Sequence, residues 1–156
     1  MKTKNKMITN KEMIYHIIFP IIVGGIIYII FRPTTLLMFS WFDLFKLTDI
    51  IFFLRSKFHG VSIYLFSWII YSLPNGLWSY SLTYIMLAIW KNSEKKYKFI
   101  WYITSLILGI GGEFLQYFQV INGVFEMNDI FFYIIGFLFA FIFISYKREL
   151  ILNVKF

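Results

Sequence analysis

Apolar residues in this chain come in long runs, separated by short polar or basic stretches. Four runs approach or exceed the length of a membrane-spanning helix, about 20 residues with a range near 17–25. The first is Met13 to Phe31, with Pro20 and Gly24-Gly25 as a candidate kink, stopped by Arg32-Pro33. The second covers Asn75 to Trp90, short enough that its start could lie a turn earlier. Trp78 and Trp90 near its ends suit an aromatic belt. The third runs from Phe99 to Phe118 and the fourth from Ile130 to Tyr146, joined by a loop with the turn signal Asn122-Gly123.

Residues 34–73 are less regular. From Thr35 to Leu54, Asp43, Lys46 and Asp49 recur every three residues among Trp41, Phe42, Phe45, Phe52 and Phe53, a polar strip that suits an element lying in the membrane interface. Val61 to Leu73 offers thirteen residues before Pro74, which reads as interfacial or re-entrant. The expected fold is therefore all-α: a single transmembrane domain over residues 1–156. It has four transmembrane helices and an interfacial or re-entrant segment between the first and second. A five-span alternative would place the lysine loop outside or externalise one terminus, against the positive-inside pattern.

Composition agrees with that class. The chain is 60% hydrophobic and 15% charged, where a soluble domain holds about 25% charged residues. The net charge of +7 raises the question of nucleic acid, and the placement of the charges answers it. Lys2, Lys4, Lys6 and Lys11 precede the first run, Lys91, Lys95, Lys96 and Lys98 separate the second from the third, and Lys147, Arg148 and Lys155 follow the last. That alternation is topology, not a nucleic-acid surface. It predicts both termini in the cytoplasm, with membrane lipids as partners. The first run is longer than a signal-peptide core and lacks a small-residue cleavage site, so it reads as an uncleaved span. Without cysteine there is no disulfide or thiolate site. His16 and His59 lack a ligand-like spacing, so no metal and no cofactor is expected.

The chemistry concentrates at the edges of the last two spans. An ionised acid at a helix centre costs roughly 2.5–3.5 kcal/mol on insertion scales, so intramembrane acids usually face a protein interior. Gly109, Gly112 and Gln116 share a helical face with Glu113 beside them, and Asp129, Tyr133, Gly136 and Ala140 share another. The glycines at 109, 112 and 136 would let the two helices pack closely, bringing Glu113 and Gln116 near Asp129 and Tyr133. Glu113 lies about 21 Å along its helix from Phe99, towards the outer leaflet. It reads either as a candidate acid or base in an outward polar pocket or as a plain helix–helix hydrogen bond. Asp129 is a second catalytic candidate or a helix N-cap. Arg55 is a candidate partner for these acids or for an anion, or else an interface anchor. Glu126 is a candidate binding residue or a solvated loop residue, and His16 suits a structural hydrogen bond.

The stretch from Glu113 to Gly136 resembles the VanZ-like family of small bacterial membrane proteins. In that family a Glu-x-x-Gln pair ends one span, and an Arg-x-x-Asp-x-x-Asp-x-x-x-Asn-x-x-Gly pattern leads into the next. Glu113, Gln116, Asp129 and Gly136 match, Glu126 replaces an aspartate, and Gly123 and Tyr133 stand where arginine and asparagine are expected. The resemblance implies a bacterial cytoplasmic-membrane protein of the cell envelope, in a family linked to glycopeptide resistance. Its ligand would be a lipid-linked or cell-wall component. Two other classes remain open: a non-catalytic assembly or immunity protein packing against a membrane partner, and a proton-coupled transporter, which would need more spans or an oligomer.

Overall fold

The computed structural model describes residues 9–58, 60–61, 66–90 and 94–153, excepting the side chains of 95, 96 and 146–153. His59, Lys2, Lys4, Lys6, Lys91 and Lys155 lie outside the described residues. So do the core of the Val61–Leu73 stretch and the side chains of Lys95, Lys96, Lys147 and Arg148. The described residues are helical throughout their ordered elements, with no strand among them.

Helix α1 (Asn10–Met13) opens with a capping box, in which Thr9 and Glu12 each bond the other's backbone N–H. It passes through a π turn (Ile14–Ile18) into α2 (Phe19–Phe31), forming one 22-residue helix. Pro20 accounts for the π turn. Proline has no N–H for the carbonyl four residues back, and its ring crowds that carbonyl. The N–H of Phe19 instead reaches back five residues to Ile14. The irregularity thus falls before Pro20, while α2 continues unbroken through Gly24-Gly25. Arg32, fixed in an extended conformation before Pro33, ends the helix.

The interfacial stretch forms two short helices, α3 (Leu37–Leu44) and α4 (Thr48–Phe58). Between them Lys46 takes φ 57°, with its N–H on Asp43 O and that of Leu47 on Phe42 O, a Schellman ending without glycine. Thr48 donates to Asp43 at 2.7 Å across the turn.

Helix α5 (Ser67–Tyr71) leads into α6 (Leu73–Ile89), the backbone bonds of Ser72 to Trp68 and Gly76 to Ser72 bridging the join. Likewise α7 (Lys95–Tyr102) leads into α8 (Thr104–Tyr117) through Ile103. There Thr104 Oγ1 bonds the Ile100 carbonyl at 3.0 Å, a competitor for backbone bonding that bends helices. The third expected span is therefore two helices in sequence rather than one. The last helix, α9, is continuous over Met127–Asn153. Two helices among the described residues are long and apolar enough to cross a membrane, Asn10–Phe31 (mean hydropathy 2.3) and Met127–Ser145 (2.1).

Contacts fix the relative directions. Along α2 and the α5–α6 segment, His16 meets Tyr80 and Tyr84, Gly24 meets Trp78, and Arg32 meets Tyr71, so these rods are antiparallel. Segment α7–α8 runs antiparallel to α6, through Trp90 on Trp101 and Thr83 on Ser105. Helices α6 and α9 run parallel and cross where Gly76 meets Gly136. The Cβ of any residue at 136 would overlap the Gly76 carbonyl, so this crossing requires glycine.

The inside of the bundle mixes small and polar residues with an apolar cluster of Ile17, Tyr84 and Ala140, and its outside is large and apolar. Helix α6, at the centre, buries Ser79, Ser81, Thr83 and Gly76. Phe19, Ile107, Phe131, Phe139 and Ile142 are all exposed. A water-soluble helical domain is built the other way, with large apolar side chains forming its core. The arrangement is compatible with a membrane protein, whose helices pack through small residues and polar contacts.

Candidate functional site

Glu113 and Asp129, the two acids singled out in the sequence, are both buried, at 3% and 5% exposure. Their meeting depends on the end of α8. Gln119 takes φ 58° and closes a Schellman motif, with its N–H on Gln116 O and the N–H of Val120 on Leu115 O. The chain then folds back, and the N–H of Glu126 donates to Glu113 Oε2 at 3.2 Å. Glu126 thus serves the site through its backbone, and its carboxylate stands near enough to act on Glu113 electrostatically.

Gln116 has a structural task in that turn. Gly123, at φ 153°, lies directly on the Gln116 side chain, and a Cβ there would overlap it. An arginine at 123 would have to displace the Gln116 side chain and take a backbone conformation that L side chains rarely adopt. Tyr133 packs its ring onto Gly109, which is glycine for that reason. The same tyrosine lies within the field of Glu113, Asp129 and Arg32. Gly112 departs from the expected packing face: nothing lies within 4 Å of where its Cβ would be, and the same holds for Gly111. The closely packed strip of α8 is instead Ser105, Gly109 and Glu113, one turn apart.

Asp129 sits in the first turn of α9. It does more than terminate a helix, because its carboxylate faces Ser72, Asn75 and Arg32 from other elements. At hydrogen-bond geometry, however, Oδ1 of Asp129 and Oγ of Ser72 have no partner in the protein.

The cation at this site is Arg32, not Arg55. Arg55 donates to the Ile29 carbonyl and lies over the Phe39 ring, 5.2 Å from its centroid, which makes it a clamp between α4 and the end of α2. Arg32, at the C-cap of α2, has different contacts. One terminal nitrogen donates to Tyr71 O at 2.9 Å, and the Tyr28 and Tyr71 rings lie 5.1 and 4.8 Å from the guanidinium carbon. Its charge acts on Glu113, Asp129 and Tyr133 alike, and its Nε is buried without a partner. The sequence signal for Arg32 was available: it follows directly on the first apolar run instead of lying within a polar loop. The flanking Pro33 made it look like a stop signal alone.

The cluster therefore unites Arg32, Ser72, Asn75, Glu113, Asp129 and Tyr133 from four segments. It can offer a guanidinium to an anionic oxygen and carboxylate oxygens to a donor. Among the described residues no group of three or more His, Asp or Glu is placed to hold a metal ion. No family model, curated protein or solved structure matches this chain.

Proposed function

We propose that this chain is a VanZ-like protein of the bacterial cytoplasmic membrane with four spans and both termini in the cytoplasm. Its Arg32–Glu113–Asp129 cluster faces outward and binds the polar part of a lipid-linked or cell-wall component. The observation that carries the reading is the convergence of one cation and two buried acids from three separate helices, with Arg32 Nε and Asp129 Oδ1 both lacking partners. Buried polar groups are normally satisfied, and ionisable groups at membrane depth usually mark a binding or reaction site. Glu113, held by the Glu126 N–H, is the group suited to accept or deliver a proton if the bound component is modified.

The helix directions support the topology. Arg32, Ser72, Glu113 and Asp129 end or begin their segments on one side of the bundle, as an up-down path with cytoplasmic termini requires. The α5–α6 and α7–α8 segments, each counted through its bend, hold 23 residues and reach roughly 34 Å at 1.5 Å per residue, enough to cross. The VanZ resemblance gains a physical account for its two departures: at 123 the backbone conformation and the Gln116 side chain favour glycine, and Tyr133 fills the space over Gly109. The guanidinium that position 123 lacks comes to the same acids from Arg32.

The test compares wild type with Glu113→Gln in a deletion strain, scored against cell-wall antibiotics and by envelope lipid profiling, with membrane abundance checked. Loss of the phenotype at normal abundance is expected; an unchanged phenotype discards the reading. Outside labelling of Ser93→Cys would overturn the topology.

A second reading, a non-catalytic assembly or immunity protein, is favoured by one observation, the uncovered Gly111-Gly112 strip of α8. Under it, Gly112→Leu abolishes the phenotype and Glu113→Gln does not.

A further inference from the structure

We propose that the cavity in the α3–α4 hairpin is a second binding site, taking a primary ammonium group that carries an apolar body. Its lining includes none of Arg32, Glu113 and Asp129, so it stands apart from the reading of that cluster.

The hairpin is a built element. The left-handed turn at Lys46 and the 2.7 Å bond from Thr48 Oγ1 to Asp43 fix α3 against α4. Arg55 ties α4 to the Ile29 carbonyl near the end of α2. The hairpin encloses a cavity of about 340 Å³, partly open to the outside. A water takes about 30 Å³, and small-molecule pockets start at roughly 300 Å³. The space therefore suits a small organic molecule.

The lining sets the chemistry. Its charged group is Asp43, and no cation among the described residues forms an ion pair with it. Ser40 gives its hydroxyl hydrogen to the Leu37 carbonyl at 2.6 Å, and Thr48 gives its own to Asp43. A hydroxyl that has given its hydrogen presents lone pairs only. Of the lining side chains, Thr34 alone keeps a hydrogen to donate. Phe42 and Phe52 also line the cavity with no cation of the described residues over them, whereas Phe39 already carries Arg55. An aromatic face is electron-rich and attracts positive charge.

These features discriminate between ligands. A carboxylate or phosphate would meet a like charge at Asp43, lone pairs at Ser40 and Thr48, and electron-rich rings. A quaternary ammonium suits the rings but has no N–H for the oxygens. A metal ion would find a single carboxylate, and no group of three metal-binding side chains exists among the described residues. A primary ammonium offers N–H donors and opposite charge to Asp43, while its apolar body rests on Phe42, Phe52 and the 7% exposed Ile51. Such a group comes from an amine-bearing lipid headgroup or from a free amine.

The experiment uses the purified full chain in micelles of an uncharged detergent, read by fluorine NMR. The probes are para-fluorophenethylammonium, its trimethylammonium form and para-fluorophenylpropanoate. The primary ammonium should bind saturably and be displaced by its fluorine-free parent. The trimethyl form should bind about fivefold or more weaker, and the propanoate should not bind. Asp43→Asn should weaken the ammonium about fivefold or more; asparagine still accepts from Thr48, so the turn is kept. Asp49→Asn removes another exposed acid of the same hairpin, outside the lining, and should leave binding intact. Displacement of the probe by phosphatidylethanolamine assigns a lipid headgroup as the source. Displacement by the parent amine but by no lipid assigns a free amine.

Equal binding of the ammonium and the propanoate overturns the proposal, and that comparison needs only the wild type. Displacement by phosphatidylglycerol overturns it too. So does an equal loss from Asp49→Asn, which would mean diffuse attraction by surface charge. None of these outcomes touches the Arg32 cluster, whose test reads the cellular phenotype of Glu113→Gln.

Discussion

Polar side chains are buried towards both ends of the bundle, and the two ends treat them differently. Towards the end that carries His16, no buried side-chain atom among the described residues lacks a partner. His16 Nδ1 meets the Tyr80 hydroxyl at 2.6 Å, and its ring stacks on Tyr84 and leans on Phe143. Further along, Thr83 and Ser105 bond each other at 2.5 Å, and Ser81 bonds the Leu77 carbonyl. At the Arg32 end lie all three buried side-chain atoms without partners among the described residues, on Arg32, Ser72 and Asp129. A satisfied buried network specifies how helices pack; an unsatisfied one costs stability. The contrast between the two ends is what the proposed binding role of the Arg32 end draws on.

Breaking the shared frame gives the largest effect. Gly136→Val forces a side chain into the Gly76 carbonyl where α6 crosses α9. It should cost about 3 kcal/mol or more, beyond ordinary overpacking because backbone must move. Thermal unfolding in detergent measures it, and a small loss would mean the crossing is looser than described. Next in size, Thr83→Val strands the Ser105 hydroxyl and should cost about 1–3 kcal/mol, with Thr83→Val/Ser105→Ala recovering much of it.

The comparison between the ends sharpens on Asp129→Asn. Removing a buried charge whose Oδ1 has no partner should leave stability within about 1 kcal/mol of wild type, or raise it, while the phenotype falls. A loss as large as that of Thr83→Val would make the two ends alike and remove the case for a site. Smallest of all, Gly112→Ala meets open space and should stabilise α8 by up to about 1 kcal/mol through helix propensity alone.

Much of the architecture was legible because long apolar helices advertise themselves by run length. The helices ending at Phe31 and beginning near Ile130 appear close to where hydropathy put them. Interruptions were less legible, since they depend on single backbone events. Pro20 displaces its irregularity upstream to Ile14–Ile18, and Thr104 bends the chain by bonding Ile100. In the site, Glu113 and Asp129 were visible as acids bordering apolar runs. Gln116 looked like a ligand because a glutamine beside an acid does not reveal that a glycine turn rests on it. Gly112 looked like a packing residue because its spacing puts it on one face with Gly109 and Gln116, yet only Gly109 of the two glycines meets a neighbour.

By itself the sequence determined a helical chain with a basic, alternating polarity pattern and two acids bordering apolar runs. Hydropathy, charge placement and local backbone preferences act over a few residues, so they are present in the sequence directly. The tertiary structure alone decided which cation joins the acids. Arg32 caps the end of α2 while Arg55 lies on α4 and reaches back to that same end, and 81 residues separate Arg32 from Glu113. Only the antiparallel seating of α2 against α6, and of α8 against α9, brings Arg32 to the acids and turns Arg55 back onto Ile29. Partnership at that separation is fixed by packing, and no local pattern encodes it.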